Sequence, residues 1–154
     1  MGEDAGIGVN SVSSAGTSTL REAVADPVVT EVQAGTYALM EPDLGVLDLP
    51  FRPALRVEAG GREPRPGRVV LAAGKKSFSC DRGLPVVEAA RQVIAVNEEH
   101  TVLEWEGSPP ALGSRETIVP SHVPLTFNLH DAVWLCRGDE VVDRLPIAAR
   151  GRST

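Results

Sequence analysis

Aromatic side chains are scarce in this chain, at 4% of 154 residues, and lysine occurs only at positions 75 and 76. A core without many rings must be filled by Val, Leu and Ala, which makes it modest and leaves surface for a partner to cover. Cysteine is nearly absent: Cys80 and Cys136 stand far apart and neither belongs to a C-x-x-C pair. They read as two small buried hydrophobes rather than as a disulfide or as thiolate ligands. An excess of positive charge is missing too, since fifteen Lys and Arg against twenty-one Asp and Glu give a net charge near −6. Nothing in that balance draws the protein to nucleic acid or to an anionic membrane. No apolar run is long enough to span a bilayer, and the opening MGEDAGIGVN has neither the basic nor the apolar region of a secretory signal, so a cytoplasmic protein is expected. No P-loop, Rossmann glycine pattern, H-E-x-x-H or G-x-S-x-G occurs.

What is present is mostly strand signal. Thr19 and Glu22 have the spacing of a capping box, leading a short helix through REAVAD that stops at Asp26-Pro27. Short strands follow at 28–33, 36–40, 54–59, 68–73, 92–97, 101–106, 132–136 and 140–145, with Gly and Pro gathered between them. Arg137-Gly-Asp-Glu140 marks a hairpin, because Gly138 takes a positive φ without steric cost. No helical pattern of 10 to 15 residues separates the strands, which argues against a parallel βαβ sheet. The expected fold is mainly β, an antiparallel barrel or sandwich. The first twenty-five residues, with SVSSAGTSTL ahead of a lone helix, look like a piece of something else.

Four places offer chemistry. Ser13-Ser-Ala-Gly-Thr-Ser18 sets small residues and hydroxyls before a helix, the local physics of a phosphate cup, although such a run also serves as a plain connector. His100 follows Glu98 and Glu99, a conceivable acid–base pair or simply a solvated acidic turn. His130 and Asp131 are adjacent, and neighbours in a strand point to opposite faces. His122 sits in VPSHVPLTFNLHD, read as a Pro-bracketed turn ahead of an apolar strand. In an extended chain a second metal ligand belongs two residues on, and that position is Pro124. The segment therefore offers one ligand where a zinc site needs three or four.

The segments SSAGTSTL, TEVQAGTYALMEPDL, AGKKSFSCDRGLP, NEEHTVLE, VPSHVPLTFNLHD and DRLPIAARGRS together resemble, in order, the C-terminal region of the D-threonine aldolase and D-serine dehydratase-like family of fold-type III, alanine racemase-like pyridoxal phosphate enzymes. That resemblance implies a division at 26/27. Residues 1–26 would be the end of an α/β barrel, its short helix included, and residues 27–154 a C-terminal β domain that packs against the barrel of a partner subunit in a homo-oligomer. It also implies that Gly16 and Thr17 grip the cofactor phosphate. His122 would stand at the first of two metal ligands, with Pro124 in place of the second, so tight binding of a divalent ion such as zinc or manganese is not expected. The family's cofactor-bearing lysine lies early in the barrel, and neither Lys75 nor Lys76 corresponds to it. The resemblance thus implies a non-catalytic β domain of a pyridoxal-phosphate D-amino-acid lyase. The alternative is a free-standing β domain that acts in binding or oligomerisation.

Overall fold

The computed structural model describes residues 8–152. The first seven residues of the expected barrel remnant lie outside that range. The described chain opens with a small parallel unit, in which β1 (Ser13–Ser14) pairs with β2 (Glu31–Val32) across α1 (Leu20–Ala25). Ala15, at φ 66, turns the chain out of β1, and a 3-10 turn at Thr17–Thr19 leads into the helix. Thr19 precedes α1 as expected, but its hydroxyl makes no cap bond to the helix and meets the Gly16 N–H at 3.4 Å instead. α1 ends at Asp26, which is extended at φ −85, ψ 115, as the residue before a proline prefers. The missing long helical pattern failed to exclude a βαβ unit because this crossover uses a helix of only six residues.

From there the chain is antiparallel. β3 (Val57–Gly60) pairs with β7 (Arg115–Ile118), β4 (Arg68–Leu71), β6 (Thr101–Glu104) and β5 (Gln92–Val96) lie in the order β4-β6-β5, and β8 (Ala132–Arg137) pairs with β9 (Glu140–Pro146). The protein is mainly sheet with few helices, and its described strands close no barrel. The core lies between the β3–β7 pair and the three-stranded sheet, where Phe78, Leu71, Leu103, Ile118 and Val69 are fully enclosed beside Ala59, Ala73 and Val87. β4 alternates outward Arg68 and inward Val69, then half-buried Val70 and buried Leu71, which is the period of a half-buried strand. The expected hairpin is present, with Arg137 opposite Glu140 and Gly138 at φ 61.

Three expected strands differ. Residues 28–33 shrink to the two of β2. Residues 36–40 instead hold a 3-10 turn at Thr36–Ala38, which ends as Met40 takes φ 49 and is fastened by Tyr37, whose ring meets Phe51 at 5.2 Å between centroids. The apolar segment after His122 is a helix, α2 (Val123–Phe127), because Pro124 falls in its first turn, where the missing N–H costs nothing. β7 was not foreseen, since Arg-Glu-Thr-Ile has one fully buried apolar residue, Ile118, and so no period-two signal. Cys136 also departs from expectation: it is exposed on β8, while Cys80 is half-buried and its thiol is pushed up by that burial.

Candidate functional site

Around His122 three stretches of chain converge. An isolated bridge joins Ser79 to His122, the Ser79 N–H donates to Thr126 Oγ1 at 3.1 Å, and Ser121 Oγ donates to the Ser79 carbonyl at 3.2 Å. Within α2 the Thr126 hydroxyl donates to the His122 carbonyl at 2.7 Å, so one hydroxyl links the start of the helix to the Ser79 segment. His122 itself is extended at φ −143, ψ 119 and stands at the N-cap of α2. Its ring faces acids on both sides: Nδ1 lies 2.8 Å from Asp81 Oδ2, and Nε2 lies 3.9 Å from Glu41 Oε1.

Glu41 is the unusual member, since its side chain is only 2% exposed. Burying a carboxylate is costly unless it is paired and hydrogen-bonded. Both conditions hold here, because Oε1 accepts the Val123 N–H at 2.8 Å and Oε2 lies 3.3 Å from Arg82 Nη1. The first bond also occupies a helix N–H that has no partner within the helix. Arg82 reaches further, donating through Nε to Asp43 Oδ2 at 3.0 Å, and Asp43 raises the guanidinium pKa further still. Asp81 is held below the usual carboxylate range, first by the Ser79 hydroxyl and to a lesser degree by His122. None of Glu41, Asp43, Asp81 and Arg82 stood out in the sequence. Glu41 and Val123 are 82 positions apart, and no local spacing relates them.

The expected ligands can be tested against this geometry. Asp81 behind the Nδ1 of His122 is the arrangement of a carboxylate orienting a metal-bound imidazole. The front of the ring lacks what a metal needs: Pro124 has no donor, α2 carries it away from the extended geometry in which i and i+2 share a face, and Glu41 is already engaged by Val123 and Arg82. No group of three His, Cys, Asp or Glu side chains fit to hold an ion occurs among the described residues. The residues present do not fit a transition metal.

Gly16 and Thr17 lie together in the turn between β1 and α1. A Cβ built on Gly16 would meet nothing within 4 Å, so the backbone there is open to an approaching group. Thr17 is 3% exposed and its Oγ1 accepts the Tyr37 N–H at 3.0 Å, which fixes the turn and leaves the hydroxyl proton to donate. This arrangement fits a phosphate. It lies in a different part of the chain from His122, and none of the described hydrogen bonds joins Gly16 or Thr17 to that cluster.

The remaining candidates are structural. His100 is exposed in the turn before β6. Its acidic neighbours turn to Lys76 instead, whose Nζ lies 2.8 Å from Glu99 and 3.7 Å from Glu98. His130 Nε2 lies 2.7 Å from the Ser77 carbonyl while Asp131 pairs with Arg150 at 2.7 Å, so the two neighbours serve opposite sides. Lys75 and Lys76 are exposed in the turn after Gly74, as expected.

Glu99 is held below the ordinary carboxylate range, first by the hydrogen bond from Lys76 and then by its charge. A carboxylate depressed in the folded state contributes stability above its unfolded pKa, and that contribution is lost as pH falls through the folded value. Both groups face solvent, so the effect on stability is small. Its signature is local. In Lys76→Ala, a carboxyl-detected NMR titration should show Glu99 returning to the usual range, and an unmoved Glu99 would refute the pairing.

Residues 62–136 match the model of a putative serine dehydratase domain. A D-threonine aldolase from Arthrobacter sp. is 38% identical over 97% of this chain and 42% of its own length. An uncharacterized protein of Mycobacterium bovis is 35% identical over 56% of this chain and 71% of its own length. Among solved structures, D-threonine aldolase from Filomicrobium marinum superposes with a TM-score of 0.84 at 32% identity, covering 97% of this chain and 44% of that one. The chain thus spans less than half the length of the two aldolases. No helix among the described residues is long and apolar enough to cross a membrane. The chain belongs to the D-threonine aldolase and D-serine dehydratase-like family.

Proposed function

We propose that this chain acts as the C-terminal part of a pyridoxal-phosphate lyase for D-β-hydroxy amino acids, and that it does not catalyse the reaction by itself. The observation that carries this reading is the order of its parts. β1, a turn that presents Gly16 and Thr17, and the short helix α1 precede an antiparallel body, as the last piece of an α/β barrel followed by a sandwich-like β domain would. In this reading residues 1–26 are the barrel end and residues 27–154 the β domain. Gly16 and Thr17 hold the phosphate, and the cofactor when bound supplies an electron sink for cleavage or elimination at the β-hydroxyl-bearing carbon.

The partner in this reading is a barrel of the same family, contributed by a second subunit of a homo-oligomer. Support comes from the β8–β9 ribbon, which leaves Trp134, Leu135, Val141, Val142 and Leu145 exposed and is too small a sheet to be stable without further packing. The same ribbon favours the second reading, a β domain that works by binding or self-association. The two part company in one experiment, in which the chain is mixed with the barrel part of the Arthrobacter aldolase supplied as a separate polypeptide. Co-sedimentation with the barrel supports the lyase reading, whereas self-association with no barrel bound supports the other.

The chain's lysines provide a further test. Lys76 is raised above the ordinary lysine range, first by its hydrogen bond to Glu99, and a protonated amine has no electron pair to offer an aldehyde. Added pyridoxal phosphate followed by borohydride should leave no stoichiometric adduct at Lys76, nor at its neighbour Lys75, which is exposed in the same turn, on peptide mass mapping. D-Threonine should yield no glycine with the chain alone. An adduct at a unique lysine, or glycine formation, would overturn the non-catalytic assignment.

A further inference from the structure

We propose that Arg82 stands in for a divalent cation on Glu41, in front of His122, so that this chain excludes zinc and manganese from a position where Asp81 orients the imidazole as it would for a metal. Asp81 holds the imidazole from behind at 2.8 Å, as it would for a metal in front. In front lies Glu41, whose Oε1 is 3.9 Å from His122 Nε2. Of the three carboxylates in the cluster, Glu41 is the one shut away from water, at 2% against 36% for Asp43 and 43% for Asp81. It is therefore the acid whose charge most needs an internal partner, and Arg82 provides it at 3.3 Å while Asp43 anchors the other edge of the same guanidinium. A planar, permanently charged fork suits this double engagement in a way that a lysine would not. A divalent ion entering between His122 and Glu41 would meet that guanidinium at short range, on the same carboxylate that the guanidinium already holds.

The test uses the metal alone and needs neither cofactor nor substrate, so it stands or falls apart from the reaction proposed above. The full chain is purified without a metal-affinity column, its metal content is measured by elemental mass spectrometry, and Zn²⁺ and Mn²⁺ are titrated into it calorimetrically. The unaltered chain should carry well under about one ion per ten molecules and show no saturable binding. Arg82→Gln removes the internal cation while keeping a hydrogen-bonding side chain, and should show saturable Zn²⁺ binding where the unaltered chain shows none. Because Arg82→Gln leaves Glu41 buried without its charge partner, a second variant guards against misfolding. Pro124→Asp supplies a carboxylate at an exposed first-turn position of α2 that favours acids, and keeps Arg82. With Arg82 in place it should still show no saturable Zn²⁺ binding. Near-stoichiometric metal in the unaltered chain, no saturable Zn²⁺ binding in folded Arg82→Gln, or saturable binding in Pro124→Asp would each overturn the role assigned to Arg82.

Discussion

Phe78→Ala is expected to lower the unfolding free energy by about 3–5 kcal/mol, the range for truncating a buried phenylalanine. The ring is 0% exposed and lies in a cluster with Val69, Leu71, Leu103 and Ile118, all likewise 0% exposed. Its loss leaves a cavity that the flanking strands cannot collapse into, because β4 and β6 are held in register from Arg68–Glu104 to Leu71–Thr101. Against a total stability of about 5–15 kcal/mol for an ordinary domain, such a loss brings the chain close to unfolding at ambient temperature. The consequence reaches the candidate site, since Ser79 follows Phe78 directly and bonds both Thr126 and Ser121 around His122. Urea denaturation of the two proteins measures the difference. A shift worth less than about 1 kcal/mol would mean that the cluster closes over the gap.

Gly74→Ala should be almost as damaging, though it adds one methyl group. A Cβ on Gly74 would lie 2.3 Å from the Asn97 carbonyl oxygen, 2.7 Å from the His100 nitrogen and 2.8 Å from the Glu98 carbonyl carbon. All three are backbone atoms, so no rotamer change relieves the overlap. The turn before β6 must move instead, breaking the bonds from the Lys75 and Lys76 N–H groups to the Asn97 and Glu98 carbonyls, both 2.9 Å. Elsewhere Gly→Ala stabilises by about 0.4–1 kcal/mol by restricting the unfolded chain. Here overpacking reverses the sign, with an expected loss of about 3 kcal/mol. The same denaturation experiment reads it, and a neutral or stabilised variant would show that the turn gives way freely.

Both substitutions fall in AGKKSFSCDRG, the segment that carries the two lysines as well as Asp81 and Arg82. Its sequence advertised the lysines, which face solvent. Its structural weight lies in Gly74, Phe78 and Ser79, and its part in the site lies in Asp81 and Arg82. Charge alone was a poor guide to which of these residues matter, because the groups that matter are the ones whose partners come from remote parts of the chain.

Most of the antiparallel body was determined by the sequence itself. β4, β5, β6, β8 and β9 follow runs of Val, Ile and Leu bounded by Gly and Pro, a local signal that pleated, half-buried backbone produces wherever it occurs. The stop of α1 at Asp26-Pro27 and the Gly138 hairpin are local in the same sense. That Pro124 offers no donor two residues after His122 was legible for the same reason, since both stand in one segment. Tertiary structure alone decided the rest. It made a strand of Arg115–Ile118 by offering β3 as a partner, and a turn of Thr36–Ala38 by giving Tyr37 a bond to Thr17 and a ring contact with Phe51. It also fixed the start of the helix Val123–Phe127, whose first free N–H meets a carboxylate from position 41. The physical reason is common to all three: a backbone group or a buried charge is satisfied by whatever the fold brings within about 3 Å, and that distance is unrelated to separation along the chain.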